Sequence, residues 1–416
     1  MHIRDMRKVK AKMYKLRGYQ IAAAEQGIWH LKNYKKPFIL DLSVGAGKSL
    51  IIAEICHQLD EPVLILCPNK EILEQNSEKL KSYGIDDVRL YSASVKSKEI
   101  GKFTYATIQS VYRKPEQFKQ FKYVIVDECH LISPKNLTGM YLTFLRAIDC
   151  NNVCGLTATP YRILQKTTKE SGTNRIIYTA ATAMINRIAP FFFKKIAYKK
   201  EMQDLIDEGY LVDTDYAIGA GADWSKLKVN TTGSEFTEQS LKIYADDKII
   251  IRQIEQIIIN CEKKKESSLT FACSLGQARR VQDIMATHDI EVGYVDGSTP
   301  LDERTELVNR FKSGDLRHLV NLGVFTVGFD APILSNIILS RPTMSVALYY
   351  QMVGRGVRLD PNNSNKKLMV YDLVGLAQRF GRVSSIKITK EDDGFRDRLE
   401  SEQGIITGVG LYEFKK

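Results

Sequence analysis

Short apolar runs alternate with longer amphipathic stretches along most of the chain. In the first half, apolar runs of four to six residues begin at positions 37, 63, 103, 123 and 153, and each has the length of a buried strand. The stretch from 49 to 59 carries apolar residues at Leu50, Ile51, Ile55 and Leu59, which is the spacing of a helix packed on a sheet. This alternation of strands and crossover helices predicts a doubly wound parallel sheet.

The same pattern returns in the second half. Strands are predicted at 269–273, 290–295, 318–321, 336–339 and 368–371, and helices from 276 and from 300. Ser298 and Thr299 precede Pro300, and acidic residues follow it, which is typical of a helix start. We therefore predict two α/β domains, one at 1–195 with a basic N-terminal arm and one at 196–416. The second includes a connecting region near 217–246 with a Gly/Ala/Asp-rich segment at 219–223.

The composition is that of a folded globular protein. Of 416 residues, 44% are hydrophobic and 26% are charged, which excludes a small disulfide-stapled peptide and an intrinsically disordered chain. Lysine and arginine number 60 and aspartate and glutamate 49, so the formal net charge is +11. A surplus of this size suits a polyanionic partner but does not name it.

Neither membrane insertion nor a metal-binding cysteine cluster is expected. The N-terminal segment has no apolar signal-peptide core, and no run reaches the roughly 18 apolar residues that a membrane helix needs. The seven cysteines lie mostly in apolar runs, and the one close pair, Cys150 and Cys154, has no second pair at ligand spacing. We expect a cytoplasmic protein with free thiols and no structural zinc.

A glycine-containing segment between the first predicted strand and helix is the first candidate for chemistry. Successive backbone N–H groups in such a loop, with the N-terminus of the next helix, can bind a phosphate chain. Lys48 is placed to reach the β- and γ-phosphates, and the Ser49 hydroxyl to hold Mg²⁺. Leu42 stands where the strict phosphate-loop pattern has its first glycine, so a plain connecting turn is the alternative. The candidate residues are Ser43, Val44, Gly45, Ala46, Gly47, Lys48 and Ser49.

The second candidate is the apolar strand at 123–126, which runs into Asp127 and Glu128. Carboxylates at the carboxyl end of a parallel strand lie where open α/β sheets bind their ligands. We predict that Asp127 holds the metal ion and that Glu128 polarises the attacking water as general base. Two solvated acids at a strand end are the alternative.

These motifs, in this order, resemble those of the superfamily 2 helicases and translocases. Residues 127–130, Asp-Glu-Cys-His, resemble a variant of the DEAD/DEAH box. The segments at 204–212, 341–345 and 370–375 resemble the branch that contains XPB, RecG, the restriction ATPases and phage branch-migration helicases. The resemblance implies two tandem RecA-like domains and an ATP- and Mg²⁺-dependent enzyme that moves on DNA.

The resemblance also implies roles for residues outside the phosphate loop. Arg17 and Gln20 resemble the segment in which a glutamine reads the adenine edge, and Thr157 and Thr159 resemble the motif that couples the nucleotide site to the nucleic acid. An ordinary helix start and a proline-terminated strand are the respective alternatives. Further strand-end residues resemble contacts to the nucleic-acid backbone, with plain loops as the alternative: Pro68, Asn69, Lys70, Thr107, Ser274 and Thr326.

Residues 351–358 resemble the family motif QxxGRxxR. Its Gln351, Arg355 and Arg358 are implied to act in hydrolysis, with the arginines stabilising charge on the γ-phosphate. Gly328 and Asp330, in the motif before it, are implied to contact the nucleotide. Two guanidinium groups three residues apart predict one helical turn between them and a shared face. An exposed cationic helix end is the alternative.

The implied function is that of an ATP-dependent DNA helicase or translocase that unwinds or remodels forked and branched DNA. Its contacts to phosphate and sugar carry no sequence information. The alternatives are a translocating ATPase subunit of a restriction-type complex, an RNA helicase, and a kinase or transport ATPase with no nucleic acid. Residues 187–195, in which Phe191, Phe192 and Phe193 have basic neighbours, are either a wedge that stacks on a base or aromatic packing against a domain.

Overall fold

The computed structural model describes residues 14–133, 136, 138–169, 176–219, 224–230, 235–323, 329, 331–391, 394, 396–407 and 410–414. The chain falls into two compact units. Residues 1–160 and 185–200 form the first, and residues 161–184 and 201–416 form the second. The sequence-based domain boundary between 195 and 196 stays a prediction.

The strands follow one another along the chain with the helices between them. The strands are β1 (Phe38–Leu42), β2 (Val63–Cys67), β3 (Val88–Ser92), β4 (Ser97–Lys98), β5 (Phe103–Thr107), β6 (Tyr123–Asp127), β7 (Val153–Thr157), β8 (Tyr161–Lys169), β9 (Ile176–Met184), β10 (Ile196–Lys200), β11 (Thr214–Ile218), β12 (Ser267–Phe271), β13 (Val292–Asp296), β14 (His318–Leu322), β15 (Leu334–Leu339), β16 (Leu368–Asp372), β17 (Lys387–Lys390), β18 (Asp397–Ser401), β19 (Gly404–Ile405) and β20 (Gly410–Phe414).

The helices are α1 (Gly18–Trp29), α2 (Lys48–Leu59), α3 (Lys70–Lys81), α4 (Ile108–Val111), α5 (Met140–Ala147), α6 (Met202–Asp207), α7 (Glu238–Ala245), α8 (Lys248–Lys263), α9 (Leu275–Ala286), α10 (Leu301–Ser313), α11 (Val346–Val353) and α12 (Leu376–Phe380). A π-helical turn at His30–Tyr34 continues α1. Short 3₁₀ turns lie at Ala93–Val95, Pro115–Phe118, Cys129–Leu131, Ile185–Arg187, Trp224–Lys226 and Val383–Ser385.

The first unit is built on an eight-stranded sheet in the order β10-β1-β7-β6-β2-β5-β3-β4. All neighbours pair in parallel except β3 and the short β4. Every residue of β1, β2, β5 and β7 is buried, because helices cover both faces of a parallel sheet. Parallel pairing brings the carboxyl ends of β1, β2, β5, β6 and β7 to one edge of the sheet, and the predicted site residues of this half lie at or after those ends, except Arg17 and Gln20 at the start of α1.

Helix α2 starts directly after the glycine loop and packs with its apolar stripe, which includes Ile51, Ile52 and Ile55, fully buried. Helix α1 lies against it. The two helices pack closely at Gly27, because a Cβ there would approach the Ile55 Cδ1 atom to 2.9 Å. This close contact between α1 and α2 brings the start of α1 to the glycine loop.

The second unit contains a six-stranded parallel sheet in the order β11-β16-β15-β12-β14-β13. Part of the predicted connecting region belongs to this unit, since β11 pairs with β16 and α7 lies within 217–246. Trp224 is held there as well, because its indole N–H donates to the Val374 carbonyl at 2.8 Å. Two three-stranded sheets, β17-β18-β19 and β20-β9-β8, complete the unit.

The predicted doubly wound α/β architecture is confirmed, and each predicted strand overlaps a strand of the structure. Periodicity did not predict β3, β4, β8 to β11 or β17 to β20, most of which are edge or accessory strands. All seven cysteines are free and buried. Within the described part of the chain, no helix is long and apolar enough to cross a membrane.

Candidate nucleotide-binding site

The glycine loop connects β1 to α2 in the conformation of a phosphate-binding turn. Gly45 and Gly47 have φ angles of 80° and 76°, in the left-handed region that glycine adopts without steric cost. The Ala46 N–H donates back to the Ser43 carbonyl at 3.1 Å, which closes the turn. Lys48 and Ser49 are the first residues of α2, where free backbone N–H groups and the helix dipole favour an anion.

The start of α1 covers this loop. The Gln20 amide nitrogen and the Tyr19 hydroxyl both donate to the Ala46 carbonyl, at 3.0 and 2.9 Å. The Gln20 side-chain oxygen, Oε1, accepts from the Arg17 backbone N–H at 2.9 Å, so the Gln20 side chain caps its own helix. Gln20 is buried against the loop, and its side chain already makes hydrogen bonds within the chain. A role in reading adenine stays a prediction.

Lys48, Asp127 and Glu128 come together at the carboxyl edge of the sheet. The Lys48 Nζ atom lies 3.4 Å from Glu128 Oε1. Glu128 has a φ of 51°, an uncommon left-handed conformation for a residue with a side chain. Burial raises the pKa of Asp127 to about 6; the Glu128 charge adds to the rise, and Lys48 opposes it. The two acids are thus a close pair beside a cation rather than separate solvated groups.

Asn76, a residue that the sequence did not single out, holds Asp127. Its amide nitrogen donates to Asp127 Oδ2 at 2.8 Å, while the Glu128 N–H donates to Oδ1 at 3.0 Å. Asn76 is only 1% exposed. It lies on the buried side of α3 with Ile72, Leu73 and Leu80. An asparagine on the apolar face of a helix is the one sequence signal for this contact, because a buried amide needs a partner.

His130 connects the acids to the predicted coupling residues. Its Nδ1 atom lies 3.3 Å from Glu128 Oε2, 2.8 Å from Thr157 Oγ1 and 3.3 Å from Thr159 Oγ1. The Thr159 N–H donates to Thr157 Oγ1 at 3.0 Å. Both threonines are fully buried. A buried polar chain therefore runs from Glu128 to the end of β7.

The predicted nucleic-acid contacts of the first unit follow strand ends at the same edge. Asn69 caps α3 by accepting from the Ile72 N–H at 3.0 Å, and Pro68 precedes it. Lys70 lies 3.8 Å from Glu74. The Thr107 hydroxyl is 2.9 Å from both the Ser92 and the Ser110 hydroxyls. These polar groups have structural partners, and their contact with nucleic acid stays a prediction.

In the second unit, Ser274 caps α9 by accepting from the Gln277 N–H at 3.1 Å. The predicted residues Thr326, Gly328 and Asp330 lie outside the described residues. Gln351 lies in the last turn of α11.

The predicted helical turn between the two arginines is wrong. Helix α11 ends at Val353, Arg355 lies in a turn, and Arg358 forms an isolated bridge with Leu211. The physical reason is a tertiary contact: the Val212 N–H donates to the Val357 carbonyl at 2.8 Å and draws the backbone into an extended path. Arg355 is 9% exposed, and its Nη1 donates to the Phe329 carbonyl at 3.1 Å.

The aromatic run at 191–193 divides between core and surface. Phe193 is fully buried next to Gly155, where an added Cβ would lie 2.9 Å from the Phe193 ring. Phe191 is 50% exposed. Of the two alternatives for this run, a wedge or packing against a domain, packing therefore applies to Phe193.

The first unit fits a magnesium nucleotide. Gly47 has a φ of 76°, and a Cβ there would lie 2.5 Å from the Gln20 amide nitrogen, so a side chain at this position would displace Gln20 from the loop. The Lys48 ammonium has the charge that phosphate groups bind. Ser49 and Asp127 carry oxygen donors of the kind that Mg²⁺ prefers, so they could hold the ion.

Two family models match the chain. The model described as "Type III restriction enzyme, res subunit" matches residues 13–162, and "Helicase conserved C-terminal domain" matches residues 244–360. The chain is 25% identical over 423 residues to the "Putative ATP-dependent helicase IRC3" of Saccharomyces cerevisiae, covering 94% of this chain and 56% of that protein. It is 22% identical to the ATP-dependent DNA helicase uvsW of Enterobacteria phage T4, covering 82% of this chain and 65% of the relative. The chain thus spans less than two thirds of either relative.

The fold has a counterpart among solved structures. The fragment structure of "a putative HsdR subunit of a type I restriction enzyme" from Vibrio vulnificus aligns with a TM-score of 0.63 and 20% identity. The alignment covers 89% of this chain and 66% of that one. The likeness supports two tandem RecA-like sheets.

Proposed function

The chain belongs to the superfamily 2 helicases and translocases, in the branch of the restriction ATPases and XPB, and from that membership we propose that it is an ATP-dependent motor on DNA. One observation carries the proposal. Lys48, Asp127 and Glu128 meet beside a glycine loop, with Glu128 3.4 Å from the Lys48 ammonium. A cation for the phosphates, a metal-binding carboxylate and a general base are the groups that ATP hydrolysis requires.

Each residue of the site has a proposed task. The N–H groups of residues 43–49 and the Lys48 ammonium bind the triphosphate, and Ser49 and Asp127 hold Mg²⁺, which supplies charge neutralisation when bound. Glu128 accepts the proton of the attacking water. His130 links Glu128 to Thr157 and Thr159 through contacts of 2.8 to 3.3 Å. A change at the nucleotide site is thereby passed to these two coupling residues.

The second unit is proposed to contribute Gln351, Arg355 and Arg358, with the arginines stabilising the charge that develops on the γ-phosphate. Gly328 and Asp330 are proposed nucleotide contacts, and Arg17 and Gln20 a proposed adenine contact. These roles rest on the sequence motifs.

The proposed partner is DNA, held without sequence readout. Pro68, Asn69, Lys70, Thr107, Ser274 and Thr326 are the proposed backbone contacts. Because such contacts release counterions, we expect DNA affinity to fall steeply with salt. The branch resemblance favours forked and branched substrates, so that the proposed action is unwinding or branch migration.

A second candidate is a translocating ATPase of a restriction-type complex. The match to the restriction-enzyme res subunit and the likeness to the HsdR fragment favour it. The two candidates differ in outcome, because a translocase displaces a third strand or a bound protein without separating the duplex.

The test is the rate of ATP hydrolysis without nucleic acid and with single-stranded DNA, forked DNA, a four-way junction and RNA. Strand separation and triplex displacement are measured on the same DNA. We expect stimulation by DNA. No stimulation by any nucleic acid refutes the motor, and stimulation by RNA alone refutes the DNA substrate. Displacement of a triplex without separation of any duplex selects the second candidate.

Glu128→Gln tests the base. The variant should bind ATP as the wild type does and hydrolyse it at least about 100-fold more slowly, since general-base catalysis contributes about 10² to 10⁴. Glu25→Gln, at an exposed position on α1, is the matched control and should hydrolyse ATP normally. Wild-type turnover by Glu128→Gln would remove Glu128 as the base.

A further inference from the structure

A buried lysine, Lys366, contacts the backbone of residues 355–358 in the second unit, the arginine segment. After residues 355–358 the chain forms a short loop and returns at Lys366, just before β16. Lys366 is 7% exposed. Its ammonium donates to three backbone carbonyls, those of Pro332 at 2.7 Å, Gly356 at 2.9 Å and Arg358 at 2.7 Å.

These three bonds match the chemistry of the group. An ammonium has three N–H donors and no acceptor, which suits it to bind several carbonyl oxygens at once. Helix α11 ends at Val353, and the carbonyls of Gly356 and Arg358 therefore have no place in a helical ladder. Charge-assisted hydrogen bonds to such carbonyls are stronger than neutral ones.

The bonds join two segments that both carry predicted nucleotide contacts. Gly356 and Arg358 belong to the arginine segment, and Pro332 follows the predicted residue Asp330. The arginine segment is confined on its other sides. The Val212 N–H donates to the Val357 carbonyl at 2.8 Å, and a Cβ on Gly356 would collide with Leu368.

We propose that Lys366 is a positioning residue, whose ammonium sets the backbone path of residues 355–358 and thereby the location of the Arg355 and Arg358 guanidinium groups. The inference rests on the proposed function, in which those arginines stabilise charge on the phosphate. In this role Lys366 acts through the arginines and not by contact with ATP or DNA.

The backbone path is tested by hydrogen–deuterium exchange, which does not depend on activity. Lys366→Met removes the three donors while keeping an unbranched chain. Lys367→Met is the matched control, because Lys367 is the next residue and is exposed. In Lys366→Met, the amides of 354–359 should exchange at least about tenfold faster than in the wild type, and in Lys367→Met at the wild-type rate. Unchanged exchange in Lys366→Met overturns the proposal.

Steady-state kinetics test whether the position of the Arg355 and Arg358 guanidinium groups affects ATP hydrolysis. Lys366→Met should lower kcat about 10- to 100-fold and change the affinity for ATP less than about twofold, because the glycine loop and Lys48, the main proposed phosphate-binding groups, lie in the first unit. In an Arg355→Ala/Arg358→Ala background, adding Lys366→Met should cause no further loss. The proposal is overturned if Lys366→Met lowers kcat as much in the double-alanine background as in the wild type, or if it lowers ATP affinity and kcat equally. Either result assigns Lys366 a general structural role.

Folding of each variant is checked with Trp224 fluorescence in a Trp29→Phe background, since the chain has two tryptophans and Trp224 lies in the second unit. If Lys366→Met does not fold, Lys366→Gln, whose amide keeps two N–H donors, replaces it in both assays. A wild-type protein without nucleic-acid-stimulated hydrolysis refutes the proposed function. A stimulated wild type with normal kcat in the folded Lys366 variant refutes only the positioning role.

Discussion

Asn76 is the residue through which Asp127, the proposed metal-binding carboxylate, can be perturbed without altering a charge. Asn76→Ala removes the amide that donates to Asp127 Oδ2 at 2.8 Å. A hydrogen bond to a charged group contributes about 1.5 to 3 kcal/mol, and here the acceptor is left buried. We expect the free energy of unfolding of the first unit to fall by about 2 to 3 kcal/mol.

Asn76→Asp keeps the shape and replaces the donor by a second carboxylate. At the same separation, two negative charges repel by roughly 6 kcal/mol for an effective dielectric constant near 20. The pair therefore takes up a proton, and the pKa of Asp127, already raised to about 6, rises further. A carboxyl whose pKa is higher in the folded than in the unfolded state binds more protons when folded. The stability of the variant should thus fall as the pH rises from the ordinary aspartate pKa of 3.8 through the raised pKa, above about 6.

The assay is urea unfolding at pH 5 and pH 8, without nucleotide or Mg²⁺. In a Trp224→Phe background, Trp29 reports on the first unit alone. At pH 8 stability should fall in the order wild type, Asn76→Ala, Asn76→Asp; at pH 5 Asn76→Asp should approach the wild type and exceed Asn76→Ala, because one shared proton restores a hydrogen bond that alanine cannot make. The control is Asn33→Asp, the same change at an exposed site. An Asn76→Asp cost that is equal at both pH values would show that Asn76 does not act on the Asp127 charge.

Three further predictions follow from single contacts. Gly47→Ala places a Cβ on a residue with a φ of 76°, directed at the Gln20 amide nitrogen, and should abolish nucleotide binding in a fluorescent-ATP titration. Binding within about twofold of wild type would contradict the proposed phosphate-binding loop. The Arg317 hydrogen bond lowers the pKa of Glu262 to about 2, so the second unit should lose stability as the pH falls from about 4.5 towards 2. Glu262→Gln should remove that slope in Trp224 fluorescence. Phe193→Ala should cost about 3 to 5 kcal/mol of unfolding free energy and Phe191→Ala under about 0.5, and equal costs would contradict their division between core and surface.

Most of the strands that local pattern predicts lie inside a sheet, with neighbouring strands on both sides. Strand β2, Val-Leu-Ile-Leu-Cys, is a continuous apolar run, so its position can be identified from the sequence alone. Edge strands such as β10 and β11 are only partly buried, and their mixed composition resembles that of loops. The glycine loop and the acid pair were predicted because each is a local motif at a strand end. Parallel pairing then brings those ends to one edge of the sheet.

The sequence by itself determined the two α/β domains and the residues of the phosphate and acid motifs, because those depend on local periodicity and on side-chain chemistry. Only the tertiary structure decided which distant residues complete them. Asn76 meets Asp127 because β2, which precedes α3, pairs with β6, and strand order is not contained in any local pattern. The contact of Val212 with Val357 likewise ends the helical path before Arg355, and Lys366 reaches Pro332 across 34 residues. Such contacts depend on strand order and register, which the whole core sets together.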